Sequence, residues 1–575
     1  MKTMSKTKLE LTWIGKEKRP KLEPRILLED PSKSYHASHK ITESDIFDNK
    51  LIYGDNLLAL KALEQDYSGK IKCIYIDPPF NTGEAFDNYD DGLEHSIWLS
   101  LMYERSRYLH NLLSSDGALF VHIDDNELAY LTVVMDEVFG RSNRISIVTF
   151  KQGSVTGHKA INPGLVTTTN YILIYAKDKS LWTPNRLFTS RERDSRYSQY
   201  IENFDDSYAK WKYIPLSQAL SEHFGVAPRQ LKKHLGMNYE EEVSSFVLKN
   251  ANRVIRTARP DYKSVGQAVR DMIDISKSDP DIVYLLEREK HSNMYFKNGE
   301  RLLFYKDKLK VIDGVTVSGE PLSNLWDDLL SNNLHKEGSV KFPKGKKPEG
   351  LIKRILDLST SEGDIVLDSF AGSGTTAAVA HKMKRKWITI ELGEHCETHV
   401  LPRLTKVVDG VDNDGISKSI NWQGGGGFRY YTLAPSLLEK DQWDNWVINK
   451  EYNAEMLAEA ICKLEGFTYS PSDTQWWNHG YSTETDFIYV TTQNLSVEKL
   501  EQISEEVGSD RTLLVCCGAF RCKPDRFANL TIKKIPKMVL NRCEWAHDDY
   551  SLNVQNLPMA QKNQEGLDPE QEDLF

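Results

Sequence analysis

The residues best suited to chemistry are Asp77-Pro78-Pro79-Phe80, followed by Asn81-Thr82-Gly83. They come directly after Ile71–Ile76, an apolar run that reads as a buried strand. Two consecutive prolines fix φ and remove two N–H donors. That leaves the Asp77 carboxylate and nearby carbonyls as a rigid set of acceptors beside an aromatic face. Such a set suits an exocyclic amino group on a base, a poor nucleophile whose lone pair is delocalised into the ring. Two acceptors on its two hydrogens pull the nitrogen towards tetrahedral geometry and localise the lone pair. Asp77 and the Pro78 carbonyl would be those acceptors, and Phe80 would stack on the extruded base. Stacking of this kind contributes about 1–3 kcal/mol, comparable with the few kcal/mol that extrusion costs. The competing account is an ordinary strand-ending turn; the apolar strand before it and Asn-Thr-Gly after it weigh against that.

A second constellation is Leu367-Asp368-Ser369-Phe370-Ala371-Gly372-Ser373-Gly374-Thr375-Thr376. It reads as a strand running into a helix, with Gly372 and Gly374 allowing a tight turn and close approach of a ligand. Thr375 opens the helix, whose free N–H groups favour negative groups such as a carboxylate. Read through Ala377, the pattern GxGxxA also fits a dinucleotide fingerprint, so alone it does not separate NAD from S-adenosylmethionine. Glu391 ends the next strand, 19 residues after Gly372, where an acidic side chain can accept from ribose hydroxyls. A solvated strand end is the alternative for Glu391.

These residues must be positioned by an open α/β sheet. Leu51–Tyr53, Ala118–Ile123 and Tyr171–Ala176 read as strands, and His95–Leu113 and Glu127–Phe139 as amphipathic helices. The same rhythm resumes with a helix at Leu351–Leu358, a strand at Asp364–Leu367, a helix at Thr375–Lys384 and a strand at Trp387–Leu392. This predicts a Rossmann-like, doubly wound mixed sheet interrupted by an insertion. Over about 180–335 strand periodicity is weak, charged and aromatic residues intermingle, and several polar helices are expected. Asn421–Gly427 (NWQGGGG) reads as a linker. Beyond it a small α/β domain is expected over 428–555, opening with FRYYTL and containing DFIYVTT and TLLVCC. The expected division is an N-terminal arm (1–45), a core in two parts (46–180 and 336–420) around an insertion (181–335), the C-terminal domain and an acidic tail (556–575). A chain cut after Gly427 is expected to retain cofactor binding.

Composition narrows the partners. With 73 Lys+Arg against 83 Asp+Glu the chain is acidic overall. Residues 151–340 nevertheless carry 28 basic against 24 acidic side chains, a net +4 that permits a nucleic-acid surface there. Runs such as RERDSRYSQY, YAKWKY, RQLKKH and RVIRTAR interleave Arg and Lys with aromatics, as phosphate contact and base stacking require. Each run taken alone is more often a solvated helix face. The basic N-terminus lacks a secretory h-region and reads as a flexible arm that could touch phosphate. No stretch reaches 18 apolar residues, so no membrane span is expected. The seven cysteines lack zinc-ligand rhythm and fit free thiols in a reducing cytoplasm.

Asp77–Phe80 together with Phe370-Ala371-Gly372-Ser373-Gly374 resembles the motif pair of DNA amino-methyltransferases, (D/N/S)PP(Y/F) plus FxGxG. Their order, catalytic motif first, resembles the β-class permutation. The phrases LIYGDNLLALKAL, YIDPPFNTG, EHSIWLSLM, HIDDNE, MDEVFG and LDSFAGSGTT resemble the modification subunits of type III restriction systems and their adenine-specific relatives. The resemblance covers about 45–180 and 340–432. It implies S-adenosyl-L-methionine as cofactor, adenine N6 in double-stranded DNA as target, and the intervening segment as recognition domain. It also implies a homodimer and a helicase-nuclease partner. By the same resemblance Asp55 would approach the cofactor adenine, and Lys347-Pro348 would close over its methionine end; Lys347 could equally contact phosphate. Phe80 departs from the commoner Tyr, which keeps stacking but removes a phenolic hydrogen bond. A leading Asp is more usual for adenine N6 and a leading Ser for cytosine N4. Cytosine-N4 transfer, a non-catalytic DNA-binding specificity subunit and an NAD-dependent oxidoreductase stand as the alternatives. A cytosine-C5 enzyme would need a Pro-Cys pair, which the sequence lacks.

Overall fold

A computed structural model describes residues 10–80, 91–153, 164–289, 291–312, 314–329, 337–340, 342, 346–523 and 525–551. Asn81-Thr82-Gly83 and the acidic tail lie outside them. The chain forms two compact units, one of residues 1–185 with 324–575 and the other Arg186–Ser323.

In the first unit the strands before the insertion are β1 (Leu27–Glu29), β2 (Tyr35–His36), β3 (Asn49–Tyr53), β4 (Ile71–Ile76), β5 (Leu113–Ile123), β6 (Arg144–Lys151) and β7 (Thr169–Ala176). The helices between them are α1 (Asn56–Tyr67), α2 (Asp91–Leu112) and α3 (Leu128–Met135). The insertion carries β8 (Phe188–Ser190) to β16 (Val315–Pro321) and α4 (Leu216–Phe224) to α7 (Gln267–Ser278). The first unit then resumes with β17 (Leu325–Trp326), α8 (Glu349–Ser359), β18 (Ile365–Asp368), α9 (Thr375–Lys382), β19 (Lys386–Glu391), α10 (Leu401–Val408) and β20 (Gly427–Leu433).

These strands build one eleven-stranded sheet in the order β1-β20-β3-β19-β18-β4-β5-β7-β6-β17, with β2 also on β20. Pairing is parallel from β20 through β5 and antiparallel around β7, so the sheet is mixed, as expected. Its middle strands are continuous apolar runs because helices cover both faces. Ile74, Ile76, Leu119, Val121, Leu367 and Ile388 all lie in the core, against Trp98, Met102 and Leu109 of α2. Chain order reverses between β18 and β4, which are hydrogen-bonded neighbours although nearly 300 residues separate them. In such sheets the crevice at that point, at the carboxyl ends of the strands, is where ligands bind.

Three expectations need correction. The glycine run is not a loose linker: Gly424, Gly425, Gly426 and Gly427 are buried, and Gly427 starts β20, which pairs with β3 inside the sheet. A Cβ on Gly424 would stand 2.7 Å from the Val408 carbonyl oxygen, and one on Gly426 2.7 Å from that of Ile46. Glycine is required here by close backbone approach. FRYYTL therefore belongs to the central sheet instead of opening a separate domain.

The N-terminal segment is likewise no free arm over its described residues. Ile26 and Leu22 are buried, β1 and β2 pair with β20, and the Trp13 indole donates to Ser100 Oγ at 2.8 Å. Finally, the insertion is richer in strand than its pattern suggests. It holds a six-stranded and a three-stranded antiparallel sheet besides its helices. Its strands run only three to seven residues, too short for alternation to stand out. Several aromatics expected to stack on bases are core instead: Tyr197 packs edge-on to Tyr305 and Trp211 stacks on Phe204.

Past β20, a hairpin β21 (Leu438–Lys440) and β22 (Trp446–Ile448) precedes α11 (Ala454–Glu465). A five-stranded sheet follows, with Asp486–Val490 and Thr512–Cys517 among its strands, and Val497–Val507 is helical. Among the described residues no helix is long and apolar enough to cross a membrane, and no group of His, Cys, Asp and Glu could hold a metal ion.

Candidate active site

At the switch point lies a cavity of about 460 Å3. Its walls include Asp77, Pro78, Pro79 and Phe80 from the end of β4, and Asp368, Phe370, Gly372 and Thr375 from the β18–α9 turn. Glu391 at the end of β19, together with Lys347 and Asp55, completes the set expected from sequence. Gly374 is the exception. It supports the wall from behind, as the left-handed N-cap of α9 with φ 74°, packed against Val400.

At the β4 end, Asp77 Oδ2 and Lys347 Nζ are 2.6 Å apart. Burial pushes the Asp77 carboxyl above its ordinary pKa, and the Lys347 charge opposes that rise. Lys347 Nζ also stands 5.1 Å from the centroid of the Phe80 ring, a cation–π distance. The Trp98 indole donates to the Pro79 carbonyl at 2.9 Å, tying the proline turn to α2.

Behind Phe80 sits His122, its ring 6.2 Å away, with Phe150 edge-on at 5.7 Å. The Tyr75 hydroxyl lies 3.0 Å from His122 Nδ1 and the Asn170 amide nitrogen 3.1 Å from Nε2. Burial, reinforced by Lys347, holds His122 well below the usual histidine pKa, so it is a neutral ring bracing the aromatic wall.

At the other end, Glu391 does more than terminate a strand. Its Oε2 accepts from the Gly372 N–H at 2.8 Å, and Oε1 accepts from the Leu392 and Gly393 N–H groups at 2.9 and 3.0 Å. His395 Nε2 lies 2.9 Å from Oε1, and the carboxylate raises the His395 pKa. Glu391 thus braces the glycine turn and still lines the cavity. Asp368 Oδ1 accepts from the Phe370 N–H at 2.9 Å, and burial pushes its carboxyl up to about 7. Asp55, expected near a cofactor adenine, has both oxygens engaged. Oδ1 caps α1 by accepting from the Leu57 and Leu58 N–H groups. Oδ2 accepts from the Tyr550 N–H at 3.0 Å and pairs with buried Arg105 at 3.4 Å.

Sequence reasoning missed Arg105, Asn56, Tyr75, Phe342, His395 and Ser551, all in the cavity wall, and His122 behind it. Two carried a signal. Arg105 falls on the apolar stripe of α2 with Trp98, Met102 and Leu109, where a charge demands a partner. His122 is the odd polar residue in ALFVHI. Ser551 gave none, because its place depends on a segment returning from the far end of the chain.

The donor set bears on which cofactor fits. Asp77, Asp368 and Glu391 surround the cavity, and the Ser369 hydroxyl is buried in its wall with no partner. Carboxylates attract a cationic group and repel a pyrophosphate. Asp77 and Asp55 have Lys347 and Arg105 as counter-ions, so it is Asp368 and Glu391 that make the lining fit a sulfonium nucleoside carrying an amino acid better than a dinucleotide.

An open α/β sheet with a cavity at its switch point, between a DPPF turn and a glycine turn, defines a class, the Rossmann-like enzymes that bind a nucleoside cofactor there. More narrowly, residues 71–400 match the model of the N6/N4 DNA methylase family, and the chain belongs to that family. It is 36% identical over 410 residues to the "Probable type III restriction-modification enzyme HindVI Mod subunit" of Haemophilus influenzae, covering 68% of this chain and 54% of that one. Against the type III EcoP15I Mod subunit of Escherichia coli it is 24% identical, over 88% of this chain and 86% of that one. Against the type II methyltransferase M.EcaI of Enterobacter cloacae it is 26% identical, over 60% and 67%. The chain thus spans about half the length of the first of these relatives and most of the second.

Proposed function

We propose that the chain is a site-specific DNA methyltransferase that moves a methyl group from S-adenosyl-L-methionine to N6 of an adenine extruded from duplex DNA. The observation that carries this reading is the shared cavity. The Asp77–Phe80 turn and the Asp368–Gly372–Glu391 turn lie on neighbouring strand ends of one wall. S-adenosyl-L-methionine supplies, when bound, a methyl group made electrophilic by sulfonium charge. Glu391 and the glycine turn would hold its nucleoside, with Phe370, Phe342 and Leu392 as apolar walls.

Asp77 and the Pro78 carbonyl accept the two hydrogens of the target amine and localise its lone pair, and Phe80 stacks on the base. Positioning within the cavity contributes most of the acceleration, as expected where no covalent enzyme intermediate is needed. The unit Arg186–Ser323 serves as the recognition domain. The type III Mod names of two relatives support a modification subunit of a restriction-modification system; a cytoplasmic dimer with a helicase-nuclease partner goes with that reading through the motif resemblance alone.

The test is transfer of radiolabelled methyl groups to DNA, followed by mass spectrometry of the digested product. N6-methyladenine is expected. N4-methylcytosine would reassign the base, and DNA binding without transfer would favour a specificity subunit.

A further inference from the structure

Lys347 is held against the Asp77–Phe80 turn, at the β4 end of the cavity. Its side chain is 6% exposed, its Nζ is 2.6 Å from Asp77 Oδ2, and it sits over the Phe80 ring. It reaches this place because its neighbours are pinned. Lys346 Nζ donates to the carbonyls of Glu337 and Val340. Pro348 precedes α8 in extended conformation. The Glu349 N–H donates to Glu337 Oε2 at 2.9 Å. The Glu349 carboxylate is fully buried and paired with Lys382 at 2.8 Å and Arg403 at 2.7 Å, and Arg403 in turn donates to the Ser373 carbonyl and to Thr375 Oγ1 of the glycine turn. One buried ionic cluster thus sets both the backbone that carries Lys347 and the turn across the cavity.

The titratable groups around the Asp77–Lys347 pair come from four elements. They are Tyr75 on β4, His122 on β5, Asp368 on β18 and Lys347 before α8. Tyr75 is neutral, His122 is held neutral by burial, and Asp368 adds negative charge when ionised. Among the described residues facing Asp77, Lys347 alone brings a cation. Without it, burial would act unopposed and favour the protonated carboxyl, which donates where the target amine needs an acceptor.

We propose that Lys347 is a positioning residue for catalysis: its ammonium is the counter-ion that keeps Asp77 ionised and oriented as the acceptor beside Phe80. The inference rests on the methyltransferase reading above and assigns Lys347 to the target-base end of the cavity.

The competent form has Asp77 ionised, so activity is present above its pKa and lost as pH falls through it. Removing the cation raises that pKa and moves the acidic limb to higher pH. An opposite charge at this distance commonly lowers a carboxylate by about 1–3 units.

The experiment measures single-turnover methylation against pH for the full chain, Lys347→Met and Lys347→Arg, beside calorimetric titration with S-adenosyl-L-methionine. In Lys347→Met the acidic limb is expected to move up by about 1–3 pH units, with the rate recovering at alkaline pH and cofactor affinity within about twofold. Lys347→Arg should keep the parental limb. An unmoved limb with cofactor affinity lost tenfold or more in Lys347→Met would overturn the proposal and place Lys347 on the cofactor. If Lys347→Met does not fold, Lys347→Arg decides alone, since a limb displaced upwards despite the retained charge also overturns it. A parental chain that binds cofactor but methylates no DNA would instead sink the methyltransferase reading.

Discussion

Glu391→Ala tests the cofactor end most directly, because Glu391 has two separable tasks. The substitution removes the acceptor for the N–H groups of Gly372, Leu392 and Gly393 and the partner of His395. All three amides lie in half-buried residues, so water can reach part of what is lost. Each then contributes at the lower end of the usual 0.5–1.5 kcal/mol, about 1.5 kcal/mol of folding stability in all. If Glu391 also accepts from the ribose hydroxyls, S-adenosyl-L-methionine affinity falls by a further 1–3 kcal/mol, roughly 5–150-fold. Calorimetry on the folded variant separates the tasks when an analogue lacking the ribose 2′-hydroxyl is titrated beside the parent compound. The parental chain should discriminate against the analogue, and Glu391→Ala should bind the two alike, as expected for a coupled pair. Unchanged cofactor affinity, or discrimination surviving in the variant, would leave Glu391 as a turn brace alone.

Asp77→Ala should lower the single-turnover methylation rate by about 10²–10³-fold, the usual effect of losing a preorganised electrostatic partner, with cofactor affinity nearly parental; a parental rate would dismiss the assigned site. Truncation after Gly427 removes most of β20 from between β1 and β3 and takes away Tyr550 and Ser551. Loss of cofactor binding or of folding is therefore expected, read by calorimetry and circular dichroism, and a folded, binding fragment would refute it. Glu349→Gln should destabilise by about 3–5 kcal/mol in denaturant titration, because buried Arg403 would lose its carboxylate partner while Lys382 would keep only Asp412. The His395–Glu391 pair raises the His395 pKa. Its contribution is thus fully present below the ordinary histidine value and fades as pH rises through the folded one, and NMR titration should show that pKa fall in Glu391→Gln.

The two turns of the candidate site were legible because each rests on short-range chemistry. A strand ending in Asp-Pro-Pro-Phe, and a strand ending in Asp368 before a glycine turn, look the same wherever the rest of the chain goes. What joins them is not local. β18 and β4 are neighbours across the whole insertion, and their strand patterns implied a common sheet without that pairing. The glycine run shows the opposite failure. Gly424 to Gly427 look identical in sequence whether they are glycine for freedom or for want of room, and the carbonyls that leave no room, those of Val408 and Ile46, lie on other segments. Asp55 follows the same logic. Its place before α1 explains the helix cap, yet its second oxygen is taken by a backbone N–H from residue 550, nearly 500 positions away. A short motif therefore shows which groups can do chemistry, whereas the partners that hold them, Lys347 on Asp77 and Gly372 on Glu391, emerge only when the sheet closes the distance.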